Sequence, residues 1–129
     1  MQYILTDAGA AAAGANERND CTVRALAIAA VIPYVTAWQI ANEAGRRTGR
    51  AFNIERLMEK AKDVLGLNFN KITLLPPLQI EDFITQYPSG RYIVCTKWHT
   101  CVISDSIVYD SEEKSMSAIT LVYEMLPPS

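Results

Sequence analysis

The amino-acid sequence predicts an α+β fold in which helices come first and an antiparallel sheet follows. Segments with helical periodicity run from Cys21 to Gln86, and four short segments rich in β-branched and aromatic residues follow Gly90. The length, 129 residues with 50% of them apolar, fits one domain over 1–129 and leaves no room for a second core.

Residues 8–19, AGAAAAGANERN, combine small residues with Gly14 and two asparagines and carry neither period, so they read as a loop leading into the first helix. Asn19 and Asp20 are favoured N-cap types, and CTVRALAIAAVI after them is apolar on nearly every side, as a helix enclosed by the core must be. Pro33 suits the first turn of a second helix through YVTAWQIANEAGRR, with Arg46, Arg47 and Arg50 as a solvated helix end. Ile54, Leu57, Met58, Ala61 and Leu65 form one stripe, which predicts a third helix from Ile54 to Leu65, stopped by Gly66. NKITLLPP reads as a short extended piece ended by Pro76 and Pro77, and a short helix runs from Gln79 to Gln86. The segments RYIVCT, HTCVIS, SIVYDS and AITLVYEML then read as strands.

Composition narrows the function. Twelve Lys plus Arg against fourteen Asp plus Glu give a net charge of -2 with no long run of one sign, which argues against nucleic acid or an anionic membrane as partner. The amino terminus has no basic start followed by a leucine-rich stretch, and the apolar segment from Ala25 to Val35 is too short to span a bilayer. Cys21, Cys95 and Cys101 show no C-x-x-C spacing and are odd in number, so reduced thiols in a cytoplasm are the simplest account.

Cys21 stands at the first turn of the buried helix, where the helix amino terminus stabilises a thiolate. His99 is the only histidine, so any Cys/His mechanism must use it. A two-residue turn at Asp105 and Ser106 pairs Ser104 with Ile107 and Cys101 with Asp110, which puts His99 and Asp110 diagonally on one face, within reach of a hydrogen bond. A one-residue slip would move Asp110 to the other face, and the same register makes Glu112 the rival orienter. A thiol, an imidazole and a carboxylate that fixes the imidazole's tautomer are the parts of nucleophilic acyl transfer. The Cys21 N–H supplies one oxyanion donor, and the side chain of Asn16, or of Asn19, a second. Arg24 either holds a substrate carboxylate or pairs with an acid. Trp98 either screens the histidine or packs at the rim.

The ordered set RNDCTVRALAIA, Tyr34, GRRTGR, GRYIV, WHTCVI and IVYDS, from about Asn16 to Ser111, resembles the papain-like cysteine peptidase superfamily, in particular its small C39-like members in bacteria and bacteriophages. The resemblance implies Cys21 as nucleophile at the start of the central helix, His99 opening a sheet strand and Asp110 on the next. The family's glutamine oxyanion donor, six positions before the cysteine, would fall on Ala15, which leaves Asn16 as the nearest amide. The expected function is hydrolysis of a peptide or amide bond in a protein or peptide substrate through an acyl-thioester, without a cofactor or metal. Acyl transfer to an amine needs the same residues. The expected compartment is the cytoplasm, the host's if the chain is bacteriophage-encoded. The competing readings are a catalytically inactive papain-like binding module acting on a host factor, and metal binding by Cys95, His99 and Cys101 with Cys21 as a fourth ligand.

Overall fold

Four helices and one six-stranded sheet make up the regular structure of the described residues. The structure, a computed structural model, describes residues 2–15, 17–111 and 118–127. The order along the chain is β1 (Gln2–Leu5), α1 (Cys21–Ala30), α2 (Tyr34–Glu43), α3 (Ile54–Leu65), β2 (Asn68–Leu78), α4 (Ile80–Gln86), β3 (Arg91–Cys95), β4 (Thr100–Ser104), β5 (Ile107–Asp110) and β6 (Ile119–Leu126). The fold is α+β, as the sequence predicts. The sheet departs from expectation in two ways: it is mixed, since β1 pairs in parallel with β5, and it is not confined to the carboxyl-terminal part, since β1 and β2 form its two edges in the order β1-β5-β4-β3-β6-β2. The strand β2 runs through Pro76 and Pro77, which an edge tolerates because one side of it has no ladder to feed.

The helix limits have local causes. α3 matches the predicted range; the Asn53 side chain caps it by accepting from the Arg56 N–H at 3.1 Å, and Gly66 closes it at φ +69°. α1 stops at Ala30, short of the predicted end, with Val31 in the left-handed region at φ 55°. Pro33 is the reason: it disfavours the helical conformation at Ile32 and has no N–H to continue the ladder. α2 ends at Glu43 because the chain turns at Gly45 (φ 115°), which takes Arg46 and Arg47 out of the helix.

The helices α1, α2 and α3 cover one face of the sheet around Val23, Leu26, Leu57 and Met58, all fully buried, while α4 covers the other through Phe83 and Ile80. Strands buried on both faces read as continuous apolar runs, which is why RYIVC lacks alternation. The alanines of α1, Ala25, Ala27 and Ala29, let the helix sit close between the sheet and its neighbours. This places its amino-terminal residue, Cys21, at one end of the sheet beside the start of β4. Among the described residues no helix is long and apolar enough to cross a membrane.

Candidate active site

The β4–β5 hairpin builds half of the site. Asp105 and Ser106 both take positive φ, 48° and 68°, the signature of a two-residue turn whose twist matches the strands, and the register is Ser104↔Ile107, Ile103↔Val108, Val102↔Tyr109. This is the register read from the sequence. It brings His99 and Asp110 together: His99 Nε2–H donates to Asp110 Oδ2 at 2.6 Å, both side chains largely buried. A carboxylate only accepts, so its partner fixes the proton on Nε2 and leaves Nδ1 as the nitrogen for another group. Asp110 is itself held at two further points. The Ser111 N–H donates to its Oδ1 at 2.7 Å, and its carbonyl accepts from the Thr6 N–H at 2.7 Å where β1 ends.

Cys21 approaches from α1. Burial pushes its thiol up, but hydrogen bonds from His99 and from the Thr100 backbone, the charge of the imidazole and a hydrogen bond with the Thr100 hydroxyl outweigh burial, so its pKa lies below the ordinary thiol value. Cys95 behaves oppositely. Burial raises its thiol to about 11. Cys21, His99 and Asp110 line one cleft of about 370 Å³, with Thr6, Arg24, Trp98, Thr100 and Tyr109 among the other walls.

The loop before Cys21 is fixed by charges that the sequence does not reveal. Glu17 accepts from Trp38 Nε1 at 2.6 Å, from Arg46 Nη1 at 2.8 Å and from the Gly49 N–H at 2.8 Å, while Arg46 Nη2 donates to the Arg18 carbonyl at 3.1 Å. The Arg46–Glu17 pair is almost fully buried, so the reading of Arg46 as a solvated helix end is corrected: once released from α2, it turns inward to Glu17, which neutralises it. Hydrogen bonding from Arg46 lowers the Glu17 carboxyl to about 2 against the opposing effect of burial. Asp20 is the N-cap residue of α1 yet makes no side-chain cap hydrogen bond. Its Oδ2 accepts instead from Tyr34 OH at 2.8 Å and Arg24 Nε at 3.0 Å. Arg24 is therefore the acid-paired arginine of the two alternatives.

Asn19 lines the cleft at φ 53°, and its Nδ2 donates to the Gly49 carbonyl at 3.0 Å, which braces the loop. Asn16 and the rival carboxylate Glu112 lie outside the described residues. Trp98 is 82% exposed at the rim of the cleft, with Lys97 over its ring at 5.3 Å. Cys95 and Cys101 pack on opposite faces of the sheet, and among the described residues no three potential ligands converge on a metal position. Sequence reasoning missed Glu17 and Thr100, and it singled out Tyr34 without its partner, the Asp20 carboxylate. No family model matches the chain, and neither does any curated protein or solved structure.

Proposed function

We propose that the chain is a papain-like cysteine hydrolase that cleaves a peptide or amide bond through an acyl-thioester, with Cys21 as nucleophile, His99 as general base and acid, and Asp110 as the residue that orients His99. The observation that carries the reading is the convergence in one cleft of a thiol with a lowered pKa, at a helix start, and an imidazole whose far nitrogen is held by a carboxylate at 2.6 Å. A Cys21 buried away from His99 would favour the noncatalytic alternative; the two share a cleft, which supports the catalytic reading.

In the first step the Cys21 thiolate adds to the carbonyl carbon and the carbonyl π electrons move to oxygen. The α1 amino terminus, where Asp20 makes no side-chain cap bond, offers the Cys21 N–H to that oxyanion. His99 then gives its proton to the leaving nitrogen as the C–N bond breaks, which releases the amine and leaves the thioester. Water attacks next. His99 takes its proton, the C–S bond breaks, and the carboxylic product leaves a thiolate–imidazolium pair. Asp110 keeps the ring in the required tautomer and stabilises its positive form. An amine in place of water would give acyl transfer by the same residues. A reducing cytoplasm, the host's if the chain is bacteriophage-encoded, suits a reactive free thiol.

An activated acyl ester, p-nitrophenyl acetate, tests the reading. Intact-mass spectrometry should detect a single acetyl group on Cys21 that decays by hydrolysis, with none on Cys21→Ala. Acetylation of Cys95 or Cys101 at an equal rate, or an adduct that persists in the wild type as long as in His99→Ala, would overturn it.

A further inference from the structure

We infer that Thr100 is a catalytic residue of this site, presenting its backbone N–H and its hydroxyl to the Cys21 sulfur beside His99. The inference rests on the reading of Cys21 as nucleophile. The register of the sheet supplies the geometry. In an antiparallel ladder the N–H and C=O of a residue face the same neighbour, and the direction alternates along the strand. The Thr96 N–H donates to the His99 carbonyl and the Asp105 N–H to the Gly90 carbonyl, so odd-numbered residues of this stretch turn toward β3. Even-numbered residues turn toward β5, as Ser104↔Ile107 beside the two-residue turn requires. Thr100 belongs to the second set, but the β4–β5 ladder extends only from Ser104↔Ile107 to Val102↔Tyr109. Its N–H therefore points past the end of the ladder, toward the end of β5, where Tyr109, Asp110 and Ser111 line the cleft with Cys21.

The side chain agrees with the backbone. Thr100 pairs with Cys95, which packs in the core between the sheet and the helices, so the Thr100 side chain faces α1. It is 8% exposed and lines the cleft with Cys21 and His99. The lowered Cys21 pKa has the backbone of Thr100 and, as the smallest contribution, its hydroxyl among its causes, and the same hydroxyl also reaches the Cys95 thiol beside it. β-Branching restricts χ1, so the hydroxyl needs little ordering to stay at the sulfur. In the reaction these donors complement His99. The imidazolium gives up its proton as the amine leaves, whereas the Thr100 donors belong to a strand and remain to position the sulfur through both steps.

The test reads the pH onset of Cys21 alkylation by iodoacetamide, residue-resolved by mass spectrometry, with circular dichroism as the fold control. Thr100→Val removes the hydroxyl at nearly constant shape, and the onset should rise by about one pH unit, the equivalent of one hydrogen bond to a charged group. Thr100→Ala, which cannot overpack the site, should give the same rise, and Thr100→Ser should restore the wild-type profile. An unchanged onset in Thr100→Val and Thr100→Ala, with a raised onset in His99→Ala, overturns the role of Thr100 and leaves the Cys21–His99 pair standing. A rise in Thr100→Ser as large as in Thr100→Val overturns it too, because shape rather than the hydroxyl would then be responsible. An onset that none of the variants moves, His99→Ala included, overturns the inference together with the nucleophile reading.

Discussion

The two walls of the cleft put their ionisable groups to different uses. On the strand wall, His99 and Asp110 stand at the ends of β4 and β5, and His99 faces a thiol whose pKa it lowers. On the loop wall, Glu17 and Asp20 are occupied by Arg46, Trp38, Gly49, Tyr34 and Arg24. Each acid there accepts several hydrogen bonds and serves to hold the residues that lead into Cys21. The difference teaches that burial and a displaced pKa do not by themselves mark chemistry. What distinguishes the strand wall is that its carboxylate acts on a second titratable group, which in turn lowers the pKa of a thiol.

The largest effect expected from breaking this division falls on the loop wall and on stability. Arg46→Met should destabilise the fold by about 3–5 kcal/mol in chemical denaturation, because it leaves the Glu17 charge buried without its cation. The pair also gives stability a pH dependence of known sign. Glu17 has a folded pKa of about 2 against an ordinary 4.5, so its contribution is complete above about pH 4.5 and is lost as the pH falls toward 2. An Arg46→Met variant as stable as the wild type, with an unchanged acid limb, would show that the loop is held by other contacts.

On the strand wall the effect falls on reactivity instead. His99→Ala should lower the rate of Cys21 alkylation at neutral pH by about tenfold or more, with the fold retained. Asp110→Asn should raise the pH onset by less, because loss of the carboxylate weakens the imidazolium and through it the thiolate. Glu112→Gln should leave the profile unchanged. The opposite ranking of the two acids would reassign the orienter. The smallest effect belongs to an exposed pair, Lys71–Glu55 at 3.0 Å, with side chains 43% and 54% exposed. Lys71→Met should change stability by about 1 kcal/mol or less, and a loss as large as that of Arg46→Met would remove burial as the basis of the comparison.

How far each wall was legible follows from how local its causes are. Cys21 could be placed because an N-cap type and an apolar run mark a helix start. His99 and Asp110 could be paired because a two-residue turn leaves little freedom of register. The Glu17–Arg46 pair depends on the meeting of a loop with the end of α2 across 29 residues, and no short-range pattern encodes it. Thr100 required knowing where the β4–β5 ladder ends. β1 escaped because QYIL is four residues long and mostly exposed at an edge, with no alternation to read. The mixed sheet followed from that omission, since the only parallel pairing in the described sheet is the one β1 makes with β5.

That parallel pairing bears on the order of assembly. Gln2 pairs with Ile107 and Leu5 with Asp110, so the first strand meets its partner roughly a hundred residues later in the chain, a separation that slows pairing. During synthesis β1 emerges first and has no ladder to join until the β4–β5 hairpin is complete. The Thr6 N–H, which holds the Asp110 carbonyl, therefore reaches it among the last contacts to form. The helix carrying Cys21 can pack earlier, against α2 and α3. A nascent chain would thus possess its thiol before the β4–β5 hairpin brings His99 and Asp110 together, and the backbone of Asp110 would be tied to β1 last.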